Sequence, residues 1–198
     1  MKERKIKIAK LNSALKKLFP DAAAELKYKN PWELLVAVQL SARCTDKMVN
    51  KSTKKLFKKD KKLQDYTEVK PREFEQDIKS SGFYRNKTKN ILAAAKMIKN
   101  HFGGRVPKTM KELLRLPGVA RKTANVVLAE AYGVVEGVVV DTHVIKFVKR
   151  FDLSDAKNPV KIENDLMELL PKKEWRAFTH RVIRYGRLVG KSSGFDTL

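Results

Sequence analysis

Apolar residues recur along almost the whole chain at spacings of three and four, bounded by helix-start and helix-stop residues, and this pattern confines the fold to packed helices. Asn30 and Pro31 open a helix carrying Trp32, Leu35, Val36 and Val38. Asp46 is expected to cap the next, with Val49, Leu56 and Phe57 turned inward. After Pro71 a short helix holds Phe74 and Ile78 and stops at Gly82. A longer one, from about Asn86 to Phe102, aligns Ile91, Ala95, Ile98 and Phe102 on one stripe before Gly103 and Gly104 end it. Thr109 caps a helix through Leu113 and Leu114, the turn LPGVA interrupts, and a further helix runs from Arg121 to about Tyr132. Only VVEGVVV at 134–140 favours extended chain, and it reads as a short link. Asp141 or Thr142 then starts a helix through Ile145 and Val148, and Asn158 with Pro159 another. A last helix sets Trp175, Phe178, Val182 and Ile183 on one face. The fold class is all-α. A length of 198 residues allows one domain, or two small ones that share a cleft.

What covers such a core is strongly basic. Lys and Arg number 44 against 22 Asp and Glu, a formal charge of +22 that must face something anionic or repel itself. Nucleic acid is the first candidate partner and a membrane surface the second, but no stretch approaches the roughly 20 apolar residues a span requires. Some lysines, such as the run Lys58, Lys59, Lys61 and Lys62, read as a solvated face. Aromatic residues, at 8% and mostly at core spacing, do not form the stacking platforms expected of a single-strand RNA binder. The one cysteine, Cys44, excludes an intrachain disulfide and any all-cysteine metal or iron–sulfur site. With no export-type apolar core in MKERKIKIAK, the expected location is cytoplasmic, at the nucleoid, and the expected state monomeric.

The most informative stretch is Leu116-Pro-Gly-Val-Ala-Arg-Lys-Thr-Ala124. A Pro-Gly turn feeding a helix start leaves main-chain N–H groups bare. Gly118 lets the chain turn and approach a phosphate, the helix adds the positive end of its dipole, and Arg121 adds a full charge. Such a device grips backbone without reading bases. An ordinary helix–turn–helix corner would have the same turn. Lys122, in the first turn of that helix and beside Arg121, is a candidate amine nucleophile; on residues alone it is equally one more phosphate-contacting lysine.

LPGVARKTANVVLAEAYG followed by VVVDTHVIKFVKR resembles the helix-hairpin-helix and catalytic aspartate of the endonuclease III family of DNA glycosylases. LLVAVQLSARCTDKMVNKSTKKLF resembles the family's early helix pair, and SGFYRNKTKNILAAAKMI its wedge loop and following helix. The likeness runs from about Pro31 to Gly190. It implies two helical lobes with a DNA-binding cleft between them: residues 30–133 as a helical barrel including the hairpin at about 109–133, and residues 1–29 with 134–198 as the second. It implies base-excision repair of double-stranded DNA carrying damaged bases or abasic sites, with oxidised pyrimidines as substrates and an abasic-site lyase step. Lys122 then matches the nucleophile and Asp141 the catalytic aspartate, although Asp141 also reads as a helix cap.

By the same likeness the N–H groups of Gly118 and Ala120 bind phosphate, and the carbonyls of Leu114, Leu116 and Val119 hold a monovalent cation, K⁺ or Na⁺. Phe83, after Gly82, matches the wedge. Arg43 stands where the family commonly has a glutamine that fills the gap left by the flipped nucleotide. Ser41 and Asp46, flanking Arg43, and His143 are candidates for the lesion pocket, while His143 reads equally as a structural hydrogen-bond partner. The family's four-cysteine [4Fe–4S] loop is expected to be absent, with Gly190 standing near its first cysteine, so the second lobe must hold by packing around Trp175 and Phe178. Other readings are a glycosylase of this fold for alkylated or mismatched bases, and a hairpin module that binds DNA without chemistry.

Overall fold

The computed structural model describes residues 1–60 and 62–189, and all regular structure among them is helical. The α-helices are α1 (Lys2–Leu18), α2 (Pro31–Leu40), α3 (Asp46–Lys59), α4 (Leu63–Glu68), α5 (Pro71–Ile78), α6 (Tyr84–His101), α7 (Met110–Leu113), α8 (Arg121–Tyr132), α9 (Thr142–Arg150), α10 (Pro159–Leu169) and α11 (Trp175–Val189). The chain divides into two units, residues 25–134 and residues 1–24 with those from 135 onward.

In the unit of residues 25–134, α2 is the central element. Asn30 caps it by accepting the Glu33 N–H at 2.9 Å, and Pro31 occupies the first helical position. Leu34, Leu35, Val36, Ala37 and Leu40 are all fully buried, as in a helix surrounded by others. Each large side chain so removed from water contributes roughly 1.5–3 kcal/mol before entropy is counted. Both α6 and α8 pack on it. Around this core Tyr66 of α4 is buried edge-on between Trp32, at 5.0 Å between ring centres, and Phe74, at 5.7 Å.

Local chemistry corrects the expected boundaries. Thr45, not Asp46, caps α3: its extended backbone lets Oγ1 accept the Met48 N–H at 3.3 Å, and Asp46 becomes the first helical residue, facing the positive end of the dipole. Helix α6 starts at Tyr84 rather than Asn86, because Phe83 takes a left-handed conformation that ends the preceding turn. Helix α4, at six residues, is too short for its apolar spacing to mark it in the sequence.

In the other unit Ile8, Leu11 and Leu15 of α1 meet α10 and α11. The valine-rich segment after Gly133 forms neither helix nor strand; Val138 and Val140 enter this unit's core, and the Val139 carbonyl accepts the Thr179 hydroxyl at 3.1 Å. Burial rather than sheet pairing accounts for its β-branched composition. Trp175 donates to the Leu170 carbonyl at 2.9 Å, while Phe178 and Tyr185 set their rings edge-on to Phe147. Glu174 adds a buried polar knot, accepting from Lys16 Nζ at 2.7 Å, Arg181 at 3.0 Å and Asn12 at 3.1 Å. Burial works against its charge, but these donors outweigh it and hold the carboxyl at about 2.

Candidate active site and nucleic-acid interface

The hairpin is built by α7, a tight turn and α8. Thr109 caps α7 by accepting the Glu112 N–H at 3.3 Å. The Leu116 carbonyl accepts the Val119 N–H at 3.1 Å, and Gly118 between them has φ of 74°. Gly118 is needed twice over, since a β-carbon there would stand 2.8 Å from Asn90 Cβ and 2.9 Å from Gln39 Oε1. Gln39 supports the turn from behind, donating Nε2 to the Pro117 carbonyl at 3.4 Å. Ala120 is extended and α8 begins with no side-chain cap, so no capping side chain offsets the positive end of its dipole. Lys122 is the second residue of this helix and is exposed. Of the carbonyls at 114, 116 and 119, Leu116 is already engaged once, and a carbonyl keeps a second lone pair.

The same unit brings Arg43 and Phe83 together from distant parts of the sequence. The Arg43 guanidinium lies 5.3 Å from the centre of the Phe83 ring, which is 63% exposed. Both residues are left-handed, with φ of 54° and 49°, a conformation costing about 1–2 kcal/mol for a residue with a side chain. Gly82, at φ 68°, makes the preceding turn. Such strain persists only where the surroundings over-determine it. Ser41 turns its hydroxyl onto the Val38 carbonyl at 2.8 Å, and Asp46 sits in the first turn of α3. Tyr84 packs against the core.

In the other unit, Asp141 caps α9. Its Oδ1 accepts from both His143 N–H and Val144 N–H at 2.9 Å, which fixes the carboxylate; Oδ2 has no hydrogen bond to any described residue. The His143 ring packs on Gly186, where a β-carbon would come within 2.4 Å of Nδ1, and it lines a cavity of about 410 Å³ with Lys146, Arg150 and Tyr185.

Sequence reasoning passed over Lys87. It is buried, and Nζ donates to the Leu40 and Ser81 carbonyls, each at 2.7 Å. The signal was there, since position 87 continues the apolar stripe of 91, 95 and 98.

Cys44, half-buried after α2, is one thiol and does not make the four-thiolate set of a [4Fe–4S] cluster. Among the described residues no three His, Cys, Asp or Glu side chains group as metal ligands, and no helix is long and apolar enough to cross a membrane. Gly190 lies outside the described residues.

Helices α7 and α8, packed on each other across the tight Gly118 turn, form a helix-hairpin-helix. Residues 36–172 match the HhH-GPD superfamily of base excision DNA repair proteins. Endonuclease III of Synechocystis is 47% identical over 96% of this chain and 86% of its own length, and endonuclease III of Bacillus subtilis is 50% identical over 86% and 78%. A solved structure of a non-covalent endonuclease III–DNA complex is 44% identical, with a TM-score of 0.92 over 97% of this chain and 90% of that one. The chain belongs to the endonuclease III branch of the HhH-GPD superfamily, and it is a DNA glycosylase of base-excision repair.

Proposed function

We propose that this glycosylase is bifunctional, releasing oxidised pyrimidines from double-stranded DNA with Lys122 as nucleophile and then cutting the abasic strand, and that it does so at the nucleoid. A base inside a duplex is out of reach, so the nucleotide must be extruded, at a cost of a few kcal/mol that is least for a damaged or mispaired base. Phe83 enters the stack and Arg43 fills the gap, with the hairpin N–H groups of Gly118 and Ala120, and the Arg121 side chain, on the phosphates. K⁺ or Na⁺ on the carbonyls of Leu114, Leu116 and Val119 would add positive charge beside a phosphate. Ser41, Asp46 and His143 remain the candidates for contact with the extruded base.

In the chemical step the neutral Lys122 amine attacks C1′ as the bond from C1′ to the base nitrogen breaks and its electron pair leaves with the base. The amine proton passes to the Asp141 carboxylate, which also balances charge developing on the sugar. The C1′–O4′ bond then breaks, O4′ takes up the proton held by Asp141, and a protonated imine is left at C1′. This acidifies the C2′ protons, and loss of one expels the 3′ phosphate through cleavage of the C3′–O bond. Water then hydrolyses the imine and frees the lysine. No step passes through an iron–sulfur cluster.

The observation that carries this reading is that Lys122 is exposed on the uncapped first turn of the helix that follows the Gly118 turn. The fixed Asp141 carboxylate, with one oxygen uncommitted, supports it. Borohydride trapping on duplexes carrying thymine glycol or an abasic site tests it. The covalent adduct should form with the natural enzyme and disappear in Lys122→Ala; DNA binding without adduct or base release on any lesion would leave a binding module.

A further inference from the structure

We infer that Lys87 is the positioning residue for the Arg43–Phe83 pair, its buried ammonium tying together the two main-chain segments that carry them. The inference rests on the reading of that pair as the element that enters the duplex. Leu40, whose carbonyl accepts one bond, ends α2 three residues before Arg43. Ser81, whose carbonyl accepts the other, lies two residues before Phe83. A single cation thus closes the bases of both loops at 2.7 Å, and the lever arms from the tie to the two left-handed residues are short. The Ser52 and Ser80 hydroxyls, 2.8 Å apart, join α3 to the second loop close by.

Packing alone does not call for a lysine here. The position lies on the apolar stripe of α6, next to the fully buried Ile91, Ala95 and Ile98, where a methionine would fill the same space without desolvating a charge. Among the described residues Lys87 has no carboxylate partner. Burial pushes its ammonium down from the usual lysine range, with Cys44 acting in the opposite direction. What the cation supplies that methionine does not is two directed donors to two separate loops. Orphan carbonyls at a helix end and before a glycine turn are thereby satisfied and fixed relative to each other. Arg43 and Phe83, strained and exposed at the tips, then meet the duplex already stacked rather than being ordered on contact.

The test uses the full chain and a duplex with 2-aminopurine opposite a tetrahydrofuran abasic analogue, whose fluorescence rises when the base is unstacked. Lys87→Met is expected to bind with an affinity within about threefold of the natural enzyme, yet to slow the unstacking step between about tenfold and a hundredfold. Lys87→Arg, able to reach both carbonyls, should recover much of the rate. Lys87→Met added to Phe83→Ala should cost nothing beyond Phe83→Ala alone, because the tie then has no wedge to hold. A natural unstacking rate in Lys87→Met, or additive losses in the double variant, would overturn the positioning role. Should Lys87→Met fail to fold, Lys87→Gln, which reaches one carbonyl, takes its place with the same expectations. Trapping at a preformed abasic site is measured alongside. No adduct from the natural enzyme counts against the proposed function, whereas an adduct with undisturbed unstacking in the Lys87 variants counts against this inference alone.

Discussion

A β-carbon on Gly118 would meet Asn90 Cβ at 2.8 Å and would sit on a backbone at φ 74°. The clash involves the root of a side chain, which cannot swing away, so Gly118→Ala must displace the turn itself. We expect a loss of about 2 kcal/mol in stability from strain and crowding, together with a fall of at least about tenfold in duplex affinity as the hairpin N–H groups lose their aim; chemical denaturation and anisotropy titration check the two. Asp141 divides differently. An amide oxygen still accepts from the His143 and Val144 N–H groups, so Asp141→Asn should keep the cap of α9 and melt within a few degrees of the natural chain. It should lose about a hundredfold or more in single-turnover base release, the scale typical of general acid–base catalysis. Both residues stood out in the sequence, Gly118 in its Pro-Gly turn and Asp141 in VDTH. Lys87 did not, because one buried cation among 44 basic residues carries no mark except its register on an apolar stripe.

At the scale of the element, α8 starts without a cap, which is a local defect for a helix and an opportunity for a phosphate. Ala120 is extended, the conformation a capping residue needs. Ala120→Asp should therefore raise stability by about 1 kcal/mol, while its charge in the phosphate position lowers duplex affinity roughly tenfold. Calorimetry and anisotropy should move in opposite directions; a rise in both would mean this helix end does not bind the backbone. Helices α2 and α10 were legible because cap, proline and apolar spacing agree, and α5 and α7 because a proline opens the one and a capping threonine precedes the other ahead of apolar residues. Helix α4 was not, since six residues hold too little periodicity, nor was the cap of α3, where Thr45 and Asp46 are both good capping residues and only backbone geometry chooses between them.

In the unit that contains α1 and α11 the knot at Glu174 makes a pH prediction. Its carboxyl is held at about 2, below the ordinary glutamate range, so its contribution is fully present above that range and is lost as pH falls from about 4.5 towards 2. Stability of the natural chain should drop across that window by an amount on the order of 3 kcal/mol from this group. Glu174→Gln should lower stability at neutral pH and flatten the acid limb of the profile, as read by chemical denaturation at each pH.

For the whole molecule the governing quantity is the charge of +22, which favours a polyanionic partner. Not all of it is available. Lys59 is committed to Glu73 at 2.7 Å and Asp77 at 2.8 Å, while Lys47, Lys51, Lys54, Lys55 and Lys58 of the same helix are exposed. Each lysine or arginine that meets a phosphate releases a condensed counterion, so affinity falls as a power of salt concentration with an exponent near 0.9 per contact. Duplex affinity should drop at least about a hundredfold between 50 and 200 mM salt, as expected for several phosphate contacts made together. Lys59→Met should leave the slope of log affinity against log salt unchanged, because that charge is neutralised within the protein. Losing one backbone contact should instead shallow the slope by about one unit. A slope near zero in the natural chain would separate the basic surface from the binding face, and duplex recognition would then have to come from the hairpin amides and the Arg43–Phe83 pair alone.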